Sequence, residues 1–553
     1  MQKRRLAQLG FLGLFCLLSL CACGNHDAPA QNDLTGTAQP TMQESTPDPA
    51  AQESTQEREE SEDMGENNGY DALFKELKLA RSYKGLEATN PLMTQRFGAD
   101  PYAMVYGDRV YFYMTADAFE YDANGEIKEN SYSTIRSINV ISTSDMVNFT
   151  DHGSIKAASS TGAAKWANNS WAPAAAWKEI DGKPKFFLYF ADAGGGIGVL
   201  TADSPTGPFT DPLGKGLITR NTPNCANVTW LFDPAVLVDD DGKAYLYFGG
   251  GIPSPDKVSD PGTARVVQLG DDMISIVGEP VKIDVPYLFE DSGIHKFGNK
   301  YYYTYCSNWQ VDQAGTEMYG FRSAEIVSME SDSPMGPFTV KETILENPGK
   351  YFSLYGNNHH CVFSFQGKWY ITYHARTLEK AMGVEHGYRS THVESFTMGE
   401  DGTIGIIPQT RTGREQLAYV NPYEVNRAVN MAVIGGIECV PADADSEKYG
   451  AGNMALGGID TGDFIVVRGV DFGEEAPSKW NVKLRNPKGG TGVIQLRMDG
   501  PTGEVLGYLP VDTAAAEFTE YTVELTQQVT GVHNLCLIFY GEGYELETWQ
   551  FTR

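Results

Sequence analysis

The sequence predicts an all-β protein: a five-bladed β-propeller followed by a β-sandwich (jelly roll), preceded by a signal peptide and a disordered linker. Three observations predict it. A Gly turn leading into alternating aromatic and apolar residues recurs five times along the central part of the chain. Past about residue 426 this repeat stops, and short alternating strands follow one another. Aromatics at 11%, with 59 Gly and 28 Pro in 553 residues, favour short strands and turns over long helices.

Lys3, Arg4 and Arg5 precede an apolar stretch over residues 6–20, the layout of a secretory signal peptide too short to span a bilayer. It ends in Leu20-Cys21-Ala22-Cys23-Gly24, which resembles a bacterial lipobox. Cys23, preceded by the small Ala22, is the expected lipidated residue. Residues 1–23 therefore read as a lipoprotein signal, and the mature chain as extracellular, lipid-anchored at a bacterial cell surface. Residues 24–72 are Gln, Thr, Pro, Glu, Asp and Ser with few large apolar groups. Such a segment cannot offset its ordering entropy, so a disordered acidic linker is expected. As a coil of about 45 residues it reaches roughly 40 Å, enough to hold a folded body off a membrane.

Residues 73–420 carry the repeat. Its copies begin at Gly107, Gly182, Gly242, Gly298 and Gly367, each a hairpin turn entering a strand. The intervals leave room for a four-stranded sheet per copy, as in a propeller blade. A second echo, Asp203-Ser-Pro-Thr-Gly-Pro-Phe209 and Asp332-Ser-Pro-Met-Gly-Pro-Phe338, marks the same turn in repeats two and four.

The strand entering each hairpin is the innermost of its blade, so equivalent ends of these strands converge on one funnel. Just upstream of the repeat glycines stand Asp100-Pro101, Trp171-Ala172-Pro173, Asp233-Pro234, Glu290 and His359-His360. Taken singly, an Asp-Pro is most simply a turn initiator and a Glu an exposed charge. Three acids at equivalent places, flanked by Phe97, Phe232, Leu288 and Phe289 with no adjacent cation, instead predict desolvated carboxyls with raised pKa values.

Composition limits the partners. Lys plus Arg total 43 against 72 Asp plus Glu, a formal charge of −29, which repels phosphate backbones and excludes nucleic acid. A neutral polysaccharide is indifferent to that field. Carboxylate clusters suit glycosidic cleavage, in which one acid activates water and another protonates the leaving oxygen. Apart from the leader, Cys225, Cys306, Cys361, Cys439 and Cys536 are scattered without close pairing, and read as free thiols.

Together Gly98-Ala99-Asp100-Pro101, Trp171-Ala172-Pro173, Phe232-Asp233-Pro234-Ala235, Phe289-Glu290-Asp291-Ser292 and Asn358-His359-His360 make residues 90–418 resemble glycoside hydrolase family 43. The resemblance implies an inverting glycosidase that removes arabinofuranosyl (or xylosyl) residues from hemicellulose such as arabinoxylan or arabinan. A β-xylosidase, an endo-arabinanase or a non-catalytic glycan-binding protein are the alternative readings of this fold. It implies Asp100 as general base, Glu290 as general acid and Asp233 as modulator of the acid's pKa. Asp291 is expected to face away from the site. It further implies Arg376 in contact with the bound sugar. By their places beside inner-strand ends or loops Trp171, Trp230 and Trp309 suit a sugar platform or core packing equally, and Trp171 is taken as a wall of the pocket. An axial calcium ion would lie by His359 or His360, directly or through water, and no organic cofactor is implied.

Residues 426–553 contain the runs Phe464-Ile-Val-Val-Arg, Trp480-Asn-Val-Lys-Leu-Arg and Leu535-Cys-Leu-Ile-Phe-Tyr, which suggest a β-sandwich. With Gly489-Gly490-Thr491-Gly492 and Trp549-Gln550-Phe551 they resemble a family 6 carbohydrate-binding module. Such modules grip sugars with paired aromatics and an Asn near the last strand, where this chain has Glu545.

Overall fold

A computed structural model describes residues 69–553. The expected signal peptide, Cys23 and nearly all of the linker lie outside the described residues.

Each repeat glycine sits in the left-handed region, with φ of 61° at Gly107, 75° at Gly182, 80° at Gly242, 58° at Gly298 and 75° at Gly367. A side chain there would be strained, which is why the repeat keeps Gly at that place. The flanking strands pair antiparallel across these turns, and among the described residues they build five sheets before residue 400. The first holds Ala99–Tyr106, Arg109–Thr115, Ser137–Thr143 and Phe149–Lys156. The second, third and fourth start from Trp171–Ile180, Ala235–Val238 and Leu288–Phe297, each with three further strands. The fifth has three strands, starting from His360–Phe365.

The first strands of successive sheets pack side by side, and that of the fifth returns to that of the first, closing a ring. Their faces carry the large core cluster, in which Phe112, Leu188, Leu246 and Tyr303 are fully buried. Tyrosine hydroxyls fasten neighbouring sheets. Tyr113 donates to Pro205 O (2.6 Å) and Tyr247 to Pro334 O (2.6 Å). These acceptors lie in the two echoed Ser-Pro turns, so the echo is a receiver for a hydroxyl from the preceding sheet.

Beyond residue 425 two antiparallel sheets face each other across Trp480, Leu537, Trp549 and Phe551. One runs through Phe464–Asp471, Val532–Tyr540 and Gly492–Met498; the other through Glu545–Thr552, Lys479–Asn486 and Ala515–Glu524. Asn430–Met431 pairs with Phe149–Lys156, adding an edge to the first sheet.

The period of two gives the sheet holding Phe464–Asp471 a second apolar face: Ile465 and Val467 enter the sandwich core, whereas Phe464, Val466, Val493 and Ile538 point outward. That outer face is covered by the N-terminal segment. Phe74, in the short helix Asp71–Lys75, packs with its ring tilted at 5.7 Å from the Tyr508 ring, whose hydroxyl donates to Asp71. Residues 70–80 thus pack on the sandwich although they precede the first sheet. Phe74→Ala is expected to cost about 3–5 kcal/mol by cavity formation, read as a lower denaturant midpoint.

Candidate active site

Four residues at the heads of the first strands share an unusual backbone. Asp100 (φ 46°), Ala172 (φ 41°), Asp233 (φ 48°) and Asp291 (φ 69°) are all left-handed. Register shifts next to Asp100, Ala172 and Asp291 identify this as a recurrent bulge. Such positions cost about 1–3 kcal/mol each and cluster at functional sites.

The bulge corrects the sequence alignment by one residue. Asp291, and not Glu290, is the backbone counterpart of Asp100 and Asp233; Glu290 shares its place with Ala99, Trp171 and Phe232. Asp291 stays out of the cavity lining, as expected, but it turns toward the buried axis behind His359 and not to the surface. Its carboxylate is fully buried, at 2.5 Å from His360 Nδ1 and 3.2 Å from His359 Nε2, and its N–H donates to Asp233 Oδ2 at 2.9 Å. Burial pushes its pKa up to about 7.

Asp100, Asp233 and Glu290 meet at one cavity of about 110 Å³, walled by Trp171, Phe232, Tyr132, Asn357, His359 and Arg389. The three acids are 5%, 4% and 8% exposed. Trp171 is held as a wall by its Nε1–H, which donates to Tyr132 O (2.9 Å). Trp230 instead packs on Phe232 and Phe289, and Trp309 stands partly exposed away from this cavity.

The acids are not electrostatically alike. Burial raises the Asp100 pKa, but Arg389, with help from His374 and His359, outweighs it and holds the carboxyl well below its usual range. Arg389 Nη1 donates to Asp100 Oδ1 at 2.8 Å, and the Asp100 N–H donates to His374 Nδ1 at 3.0 Å. Glu290 has no such partner: its Oε1 is buried without a hydrogen bond. Burial, then repulsion from Asp233 and Asp100, drives its pKa well above normal. Asp233 is likewise raised, by burial and by Asp100. The expectation of raised carboxyl pKa values thus holds for Glu290 and Asp233 and is reversed for Asp100.

Arg376 does not reach the cavity. Its Nε is bound to the fully buried Glu379, and Nη1 donates to Tyr355 O at 2.9 Å, so it braces the loop that carries Asn357. The arginine at the cavity is Arg389, at the entry to the strand Ser390–Phe396. Sequence reasoning missed it, and with it Tyr132, His374 and Asn357, because none sits in a repeated motif. An Arg entering the last strand of the fifth repeat was the one available signal.

The histidine pair splits. Both ring nitrogens of His360 are occupied, by Asp291 Oδ2 (2.5 Å) and Thr304 Oγ1 (2.7 Å), which leaves none for a cation. His359 Nδ1 faces Asp100 and Asp233 at 3.7 and 3.8 Å. Among the described residues no three His, Cys, Asp or Glu side chains converge as ligands, so the residues present do not fit a direct calcium cage.

In the sandwich, Glu545 pairs with Arg485 (2.6 Å), whose guanidinium lies 4.5 Å over the Phe518 ring. The aromatic face near the expected sugar grip therefore carries a cation.

A ring of sheets around a cavity lined by oppositely charged carboxyls fits a glycosidase, and the comparisons show that class. Residues 88–404 match the family of glycosyl hydrolases family 43, and residues 428–553 match carbohydrate binding module (family 6). The chain belongs to glycosyl hydrolase family 43. It is 48% identical over 479 residues to an arabinoxylan arabinofuranohydrolase of Paenibacillus polymyxa, covering 84% of this chain and 74% of that one. With an arabinoxylan arabinofuranohydrolase of Bacillus subtilis (strain 168) it shares 44% identity, covering 85% and 93%. The crystal structure of a family 43 arabinoxylan arabinofuranohydrolase from Bacillus subtilis, in complex with cellotetraose, superposes with a TM-score of 0.80 at 43% identity, covering 85% and 98%.

Proposed function

We propose that this chain is an inverting arabinofuranohydrolase that removes arabinofuranosyl side groups from arabinoxylan. The observation that carries the proposal is the opposite charging of Asp100 and Glu290 at one cavity walled by Trp171 and Tyr132. The identity to arabinoxylan arabinofuranohydrolases supports the choice of arabinose over xylose.

In this reading the arabinosyl ring fills the cavity and the scissile oxygen lies against Glu290. Glu290, kept protonated by burial and by its acidic neighbours, gives its proton to the departing xylan oxygen. Asp100, ionised throughout the working pH range, accepts a proton from a water that attacks the anomeric carbon from the opposite face. Pinning by Arg389 costs Asp100 basicity; what it secures is ionisation and aim. Asp233 holds the Glu290 pKa up by like-charge repulsion, so the two titrate as a pair. No step is routed through a metal.

The five sheets are read as five propeller blades, a reading supported by the closed ring of first strands. The charged and apolar pattern of residues 1–23 supports export and anchoring through Cys23. The sandwich is read as a buttress of the propeller.

The test is digestion of arabinoxylan, arabinan and linear xylan, with sugars profiled and the first-formed anomer followed by NMR. Free arabinose from arabinoxylan, appearing first with inverted configuration, is expected. Xylose as the main product, or retained configuration, would overturn the proposal.

A further inference from the structure

Asp117 follows the strand Arg109–Thr115 in the first sheet, does not line the cavity, and has a side chain shielded completely from solvent. A buried carboxylate is costly unless it is paired and hydrogen-bonded. Here every bond it makes with its partner goes to one residue. Arg389 donates to it from Nε (2.9 Å to Oδ2), from Nη2 (2.8 Å to Oδ1) and from its own backbone N–H (3.1 Å to Oδ2). The fork–fork geometry fixes the guanidinium plane, since a bidentate pair leaves one orientation open. The free corner, Nη1, then points at Asp100 Oδ1, while the guanidinium carbon lies 4.7 Å above the Tyr132 ring.

We propose that Asp117 is a positioning residue for the hydrolytic reaction: by clamping Arg389 from behind it aims Nη1 at Asp100 and so sets the direction in which that carboxylate meets the attacking water. The inference deepens the proposed function and rests on Asp100 being the base. Asp117 and Arg389 come from the first and fifth sheets, so the clamp also ties the two sheets that close the ring. Without it Arg389 would keep its charge but lose its fixed plane, and displacements of about 1 Å at a reacting group cost about 100-fold in rate.

The experiment compares Asp117→Asn with the wild-type protein on arabinoxylan oligosaccharides, with Asp100→Asn and Arg389→Lys measured in parallel. Asp117→Asn keeps the size of the side chain and one acceptor. Its kcat is expected to fall about 10–100-fold while KM stays within about threefold, because the clamp acts on the aim of a catalytic group and not on sugar contacts. In the double variant Asp117→Asn/Arg389→Lys the two losses are expected not to multiply, as the first acts through the second. A kcat near wild type in folded Asp117→Asn, a raised KM with unchanged kcat, or multiplying losses would each overturn the inference. If Asp117→Asn does not fold, Asp117→Ser, judged by its melting transition, carries the same criteria. An Asp100→Asn variant that retains turnover sinks the base assignment itself, a result separable from Asp117 proving dispensable while Asp100→Asn is inactive.

Discussion

Glu290→Gln is expected to lose about 10²–10⁴-fold in kcat on arabinoxylan, because Gln keeps the shape of the acid and has no proton to give. The loss should shrink on an aryl arabinofuranoside whose leaving group departs without protonation. In the wild-type protein activity requires protonated Glu290, so it is lost as pH rises through a pKa held well above the usual carboxyl range. The alkaline limb of the kcat/KM profile should therefore vanish in Glu290→Gln. A second readout has the opposite sign. A carboxyl whose folded pKa is raised destabilises the fold as pH climbs above its unfolded value, so the neutral Gln should raise Tm at pH 7. Retained kcat with an unchanged alkaline limb would remove Glu290 from the role of acid.

Asp100→Asn should show a comparable loss of kcat, about 10²–10⁴-fold, on both natural and activated substrates, because water activation is needed whatever the leaving group. Its effect on stability should be the reverse of that of Glu290→Gln. Arg389, together with the neighbouring histidines, holds the Asp100 pKa well below normal despite burial. Such a group contributes stability above its unfolded pKa that is lost as pH falls through the folded one. Removing the charge leaves Arg389 buried with Asp117 alone, and breaking one side of a buried pair costs about 3 kcal/mol or more. Denaturant titration at pH 7 should thus find Glu290→Gln more stable than wild type and Asp100→Asn less so. Equal shifts in both variants would mean that the two carboxyls share one electrostatic environment, against the proposed division of labour.

Much of this was legible in the residues. Glycine at a positive-φ turn and the alternation after it are local demands, so five hairpins could be read directly from Gly107, Gly182, Gly242, Gly298 and Gly367. Asp100, Asp233 and Glu290 could be singled out because repeats place their strand heads together. The sandwich strands were readable as continuous apolar runs, Phe464 to Val467 and Leu535 to Phe539, but which residue faces which core was not, because both faces of this sheet are buried.

The tertiary structure decided the rest, and the reasons are physical. A bulge at each strand head shifts side-chain direction by one residue without changing the local pattern, so Glu290 was aligned with the wrong neighbours and the burial of Asp291 between His359 and His360 could not be read. Charge partners depend on which chain segments become adjacent. Asp100 looked unneutralised beside its sequence neighbours, yet Arg389, 289 residues away in the chain, reaches it from the adjacent fifth sheet. Arg376, nearer the expected motif, is drawn off by the buried Glu379. Alternation, turn geometry and composition are properties of short segments, and the sequence alone determines them. The balance between desolvation and a partner hundreds of residues away exists only once the ring has closed.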